Sequence, residues 1–241
     1  MSGQRLVYIP LIMTANANQS PPPPGYSAPR PPSAFPPVIM SLLALNIVIY
    51  FLETGMRLPL LEYFALWPMG MPDVVRTPMG PVELDGFRVW QLLTYGFLHG
   101  GTLHLFVNMF ALWMFGVALE YRWGSARFLF YYLFCVVGAG IIQLVVATQA
   151  ARTGMPYPTV GASGGVFGIL LGFGMCFPNQ RIMLLIPPIP MKAKYFVVAY
   201  GAFTLWAGMT GTMSNVAHFA HLGGMLFGLL LILYWRATRR D

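Results

Sequence analysis

Charge is what this chain is short of. Asp, Glu, Lys and Arg together make up 9% of 241 residues while 57% are hydrophobic, far from the roughly one quarter charged that a soluble domain carries. The composition excludes an ordinary soluble domain and predicts a polytopic membrane protein. Acid is scarcest: no Asp or Glu lies between Glu120 and Asp241. Cysteine is nearly absent as well. Cys135 and Cys176 both fall inside apolar stretches rather than loops, which argues against a disulfide framework and leaves them as small packing residues. A basic stripe is also missing. The formal charge of +7 comes from Lys and Arg dispersed at the ends of apolar stretches, so no nucleic-acid partner is expected.

What is present divides the chain into three parts. Residues 1–37 hold a short apolar patch, Leu6 to Met13, and then a proline run from Pro21 to Pro37; such sequence builds no packed core and predicts a disordered cytosolic tail. Six apolar stretches follow at 38–54, 102–120, 127–148, 162–177, 194–212 and 217–235, each near the roughly 20 residues a helix needs to cross a bilayer, the fourth being short. A basic tail, 236–241, closes the chain. An even number of spans puts both ends on one side of the lipid bilayer. Arg122, Arg127, Arg181, Lys192, Lys194 and Arg236 then share that side with the tails, and only Arg57, Arg76, Arg88 and Arg152 face the other. The positive side is the cytosolic one.

The loop 55–101 is longer than loops usually are without structure of their own. Its apolar pieces, Leu58 to Pro68 and Phe87 to Tyr95, predict short interfacial helices with Trp67 and Trp90 as aromatic anchors. The apolar segment from Arg181 to Pro190 is expected to rest in the inner interface.

Polar residues inside hydrocarbon-grade sequence are costly and mark function by default. Ser163 stands in Gly161-Ala-Ser-Gly164 at the head of the fourth stretch, and His221 stands in Ala220-His-Leu-Gly-Gly224 in the sixth. Gly161 to Gly165 satisfies the G-x-S-x-G pattern of an α/β-hydrolase elbow, but that fold needs an acid between serine and histidine and alternating strands and helices. Neither is present, so the pattern points to a Ser–His dyad. Gly164, Gly168 and Gly172 form a small-residue ridge that lets another helix approach closely. Gly224 and Gly228 follow His221 at i+3 and i+7, which predicts that the last span offers this ridge a histidine above two glycines. His104 and Asn108, i and i+4 on the second span beyond His99, can point into one cavity; they read either as an interhelical hydrogen-bond pair or, with the Ser163 backbone N–H at a helix start, as donors to an oxyanion.

Together these residues resemble the rhomboid family of intramembrane serine proteases. The resemblance covers about 38–235 and rests on His104-x3-Asn108, Glu120-Tyr-Arg-Trp-Gly-Ser-x-Arg127, Gly161-Ala-Ser-Gly164 and Ala220-His-x2-Gly-x3-Gly228. It implies an all-α, six-transmembrane-helix bundle with a water-accessible cavity open to the extracytosolic side, in a bacterial plasma membrane. It also implies Ser163 as nucleophile, His221 as base, and His104, Asn108 and the Ser163 backbone as oxyanion hole, with no metal or cofactor. Single-pass transmembrane proteins would be the substrates, entering past the fifth span beneath a cap near 212–216. Two departures stand out: Trp90 is followed by Gln91 where the family often has Arg, with Arg88 two residues before, and Phe167 stands where a Tyr often stacks on the histidine. A non-catalytic client-binding relative would be expected to lack Ser163 or His221. A haem or proton-conducting protein using His99, His104, His218 and His221 would place paired histidines in mid-membrane instead of near one end.

Overall fold

The computed structural model describes residues 36–70, 74–77, 80–83, 86–152, 156–183, 189–212 and 217–238, all within one compact unit, Ser33–Asp241. The expected tail structure at 1–35 and 239–241 and most of the proposed cap, 213–216, lie outside the described residues. Eight α-helices are described: α1 Pro37–Gly55, α2 Leu60–Phe64, α3 Gln91–Thr94, α4 Thr102–Trp123, α5 Ser125–Ala151, α6 Ser163–Cys176, α7 Ala193–Thr210 and α8 His218–Ala237. The six long ones match the six apolar stretches to within a few residues. Four of them, α1, α4, α5 and α8, are long and apolar enough to cross a membrane. At 14 residues, α6 measures about 21 Å, short of a roughly 30 Å hydrocarbon core.

Helix α6 sits inside the bundle, packed by α4, α5 and α8, and α7 lies outside it against α6 and α8. The sequence dictates this. Every α6 residue from Gly164 to Leu170 is buried, and its glycines permit neighbours to close in from several directions. Exposed apolar side chains concentrate instead on α1, α7 and the outer faces of α4 and α8, where lipid would cover them.

Acid is scarce, and Glu120 shows one use of it. The residue is buried at the end of α4. Its carboxylate accepts the Val38 and Ile39 N–H groups at 3.0 and 2.8 Å and the Ser125 hydroxyl at 2.6 Å. It thus caps α1, whose first position is Pro37 and needs no donor partner, and complements that helix's positive end. One side chain ties α1, α4 and α5 together. Glu120→Ala would orphan two donors, one buried and one part-buried, and is expected to cost about 3 kcal/mol. The thermal unfolding midpoint of the purified protein should fall further for this variant than for Glu120→Gln, which keeps an acceptor.

The long loop holds the two short helices expected of it, α2 and α3, and a hairpin the sequence did not announce: β1 Val74–Thr77 pairs antiparallel with β2 Gly80–Glu83, Val75 opposite Val82. A second hairpin joins β3 Arg181–Met183 to β4 Pro190–Lys192, so the ends of the apolar inner segment are strand-paired; 184–188 lie outside the described residues. Trp90 is exposed, as an interfacial anchor should be, but Trp67 is buried. Its indole N–H donates to the Leu61 and Glu62 carbonyls, which makes it a clamp inside the loop.

Candidate active site

The approach to Ser163 is strapped down before the helix begins. Thr159 and Leu66 exchange backbone hydrogen bonds at 2.9 and 3.0 Å, and the Gly161 N–H donates to the Tyr95 carbonyl at 2.9 Å. Tyr95, in a 3-10 turn ahead of α4, donates its own hydroxyl to the Val136 carbonyl of α5 at 2.8 Å. Gly161 adopts φ +128, and a β-carbon there would lie 2.8 Å from His104 Cε1 and 2.9 Å from Nε2. Conformation and space both require glycine, and the contact sets the His104 ring beside the turn that delivers the serine. Ser163 is the first residue of α6, so its N–H is among the four that have no partner within the helix.

Helix α8 brings the histidine. A β-carbon on Gly224 would run into the Gly164 carbonyl, and one on Gly164 would press on Ala139 and stand 3.6 Å from the Ala220 carbonyl. The two backbones touch. That approach sets His221 Nε2 2.9 Å from Ser163 Oγ, with both residues half-buried and still reachable. One turn beyond the serine, Phe167 stacks face to face on the imidazole, ring centroids 4.0 Å apart and planes 9° apart. Tyr200 of α7 stacks in turn on Phe167 at 4.9 Å.

The remaining expected residues fall as follows. Asn108 is buried and donates its amide to the His104 carbonyl at 2.9 Å; an amide nitrogen carries a second hydrogen, which that bond leaves available. His99 is buried edge-on to His104, ring centroids 5.2 Å apart. Burial, and next the neighbouring His104, push it down to about 4, so it is neutral at physiological pH. His218 is engaged elsewhere, its Nε2 3.0 Å from the Thr212 carbonyl. Among the described residues no three His, Cys, Asp or Glu side chains are placed to share a metal ion.

Gly228 also admits α5. The atoms nearest a β-carbon there would be those of Tyr131 and Cys135 of α5. The Tyr131 hydroxyl, donating to the Gly168 carbonyl at 2.7 Å, links Gly228 of α8 to the α6 ridge. The residue standing where the family often has Arg is also explained. Gln91 is buried, its Oε1 accepts the Trp67 and Arg88 N–H groups, and its Nε2 donates to the Tyr63 and Gly86 carbonyls. It knits the outer loop from within, while Arg88 lies over the Trp90 ring at 5.7 Å. Tyr200 carried no sequence signal, and Gln91 carried one only as a departure from the family pattern, with no hint of its partners. Each matters through which way its helix is turned, and hydropathy does not report that.

Fold and site together define a class: a bundle of membrane-grade helices that holds a serine and a histidine in hydrogen-bonding contact at one end. Residues 86–238 match the Rhomboid domain family, and the chain belongs to the rhomboid family. It is 35% identical over 142 residues to Rhomboid protein 1, mitochondrial, of Saccharomyces cerevisiae, covering 58% of this chain and 40% of that protein. It is 33% identical over 139 residues to Rhomboid protease GluP of Bacillus subtilis, covering 58% and 24%. With RHOMBOID-like protein 4 of Arabidopsis thaliana it shares 33% over 168 residues, 68% of this chain and 39% of that one. The matched stretch thus spans less than half the length of these relatives. The family contains proteases and also members without protease activity. Its apolar helices and family make the chain an integral membrane protein; relatives from a mitochondrion, a bacterium and a plant do not single out one membrane.

Proposed function

We propose that this chain is an intramembrane serine endopeptidase that cuts single-pass transmembrane proteins near the extracytosolic surface. In this reading all six long helices span the bilayer, both chain ends are cytosolic, and Ser163 and His221 face a wet cavity open to the outside. The observation that carries the proposal is the 2.9 Å hydrogen bond between Ser163 Oγ and His221 Nε2, made between helices whose sequence would otherwise hold no such pair.

The chemistry follows from the positions. Ser163 Oγ attacks the scissile carbonyl carbon as its proton passes to His221 Nε2. The carbonyl oxygen, now an anion, takes hydrogen bonds from the Ser163 N–H, the free amide hydrogen of Asn108 and the His104 ring. Collapse breaks the C–N bond, and His221 returns its proton to the leaving amine. Water, activated by the same histidine, then hydrolyses the acyl-enzyme. With no carboxylate to orient the base, Phe167 holds the imidazole by stacking. The backbone of a substrate must be unwound to be attacked, which favours helix ends that fray.

A fluorophosphonate probe tests this directly. Purified protein is expected to form a covalent adduct that Ser163→Ala abolishes. Failure to label the wild type would leave a client-binding member of the family.

A further inference from the structure

At the opposite end of α6 from Ser163, about 20 Å away along the helix axis, lies a cavity of about 630 Å³. Arg122, Arg127 and Arg236 line it, together with Trp123, Trp235 and Cys176, and among the described residues no Asp or Glu contributes to its walls. The nearest acid in sequence, Glu120, has both oxygens engaged by the α1 amides, one of them also by Ser125. Arg127 lies over the Trp235 ring at 4.1 Å, and Trp123 packs edge-on against Trp235 at 5.6 Å.

Three guanidinium groups sharing one cavity repel each other unless an anion joins them. Their planar forks match the oxygens of a phosphate or a carboxylate bidentately, and phosphate is the anion that a headgroup layer supplies. Position selects the source of that phosphate. The arginines belong to the last turns of α4 and α8 and the first turn of α5, where the bundle meets the level of lipid headgroups, and paired tryptophans are residues of that layer. Met175 and Ile232 add apolar wall to the same cavity, which suits a lipid's glycerol and upper acyl carbons and offers nothing to a free ion. The charge bias of this end does not by itself need such an arrangement. Arg181 and Lys194 lie outside the cavity lining.

We propose that this cavity binds the phosphate headgroup of an anionic phospholipid. The inference requires that the chain lie in a membrane and is independent of proteolysis. A lipid bridging α4, α5 and α8 there would tie together the ends of the helices whose other ends carry or flank the Ser–His pair.

The test uses the full chain in delipidated detergent micelles, titrated with dioctanoyl phosphatidylglycerol and followed by tryptophan fluorescence and thermal unfolding. Saturable binding is expected, at least tenfold tighter than for dioctanoyl phosphatidylcholine and for inorganic phosphate. Arg122→Gln and Arg236→Gln, both at exposed residues and not expected to disturb folding, should each weaken it about tenfold, and Arg236→Lys by less. Arg181→Gln makes the same charge change outside the cavity and should alter binding less than twofold. Equal loss in Arg181→Gln would reduce the effect to general surface charge and overturn the proposal, as would wild-type affinity in both cavity variants. Inorganic phosphate binding as tightly as the lipid would overturn the lipid assignment.

Discussion

Alanine at His221 is expected to lower kcat/KM for a transmembrane peptide substrate by about 10⁴-fold or more, with the helical content unchanged. The imidazole is the only base within reach of Ser163 Oγ among the described residues, at 2.9 Å. Without it the hydroxyl must attack with its proton in place. His218, on the same helix, is engaged with the Thr212 carbonyl, and the His104 ring is assigned to the oxyanion rather than to the serine proton. Because the two side chains act as one unit, the Ser163→Ala/His221→Ala double variant should be no slower than either single one. A double variant that loses the product of the two single losses would mean that they work separately, and the dyad reading would fail.

The second large effect is expected at a residue with no side chain. Gly224→Ala adds one methyl group where α8 touches the Gly164 carbonyl of α6. Backbone cannot rotate out of the way as a side chain can, so the helices must part. Overpacking of this kind costs about 2 to 3 kcal/mol, and a displacement near 1 Å at a reacting pair costs about 10²-fold in rate. Both a lower unfolding midpoint and a loss of Ser163 labelling are therefore expected together. Gly55→Ala is the control: nothing lies within 4 Å of its added carbon, and both readouts should stay at the wild-type level. Normal labelling in Gly224→Ala would show that the close approach does not position the histidine.

Much of this was legible in the sequence, for a reason that also sets the limit. Hydrocarbon-length apolar runs announce helices by composition alone, so all six long elements were placed to within a few residues. Ser163 and His221 stood out because polar side chains are rare in such runs. A helix that is apolar all round gives no periodicity to say which face turns inward. That is why the sequence does not show Tyr200 behind Phe167, or Tyr131 beneath Gly168 and against Gly228. The outer loop failed differently. Trp67 and Gln91 hold it together through backbone carbonyls and amides, partners that exist for any sequence and so leave no pattern in this one. The strands 74–77 and 80–83 pair through the same anonymous groups.

The ring of Phe167, lying parallel to the imidazole at 4.0 Å, does more than hold it still. An aromatic face is nearly indifferent to a neutral neighbour and attracts a positive one through its quadrupole, by about 1 to 2 kcal/mol where water is excluded. In the proposed reaction the contact strengthens at the moment the serine gives up its proton, and relaxes when the leaving group takes it. A hydrocarbon ring thereby supplies part of the cation stabilisation that a buried carboxylate provides in three-residue sites. It does so without placing a permanent negative charge inside the membrane.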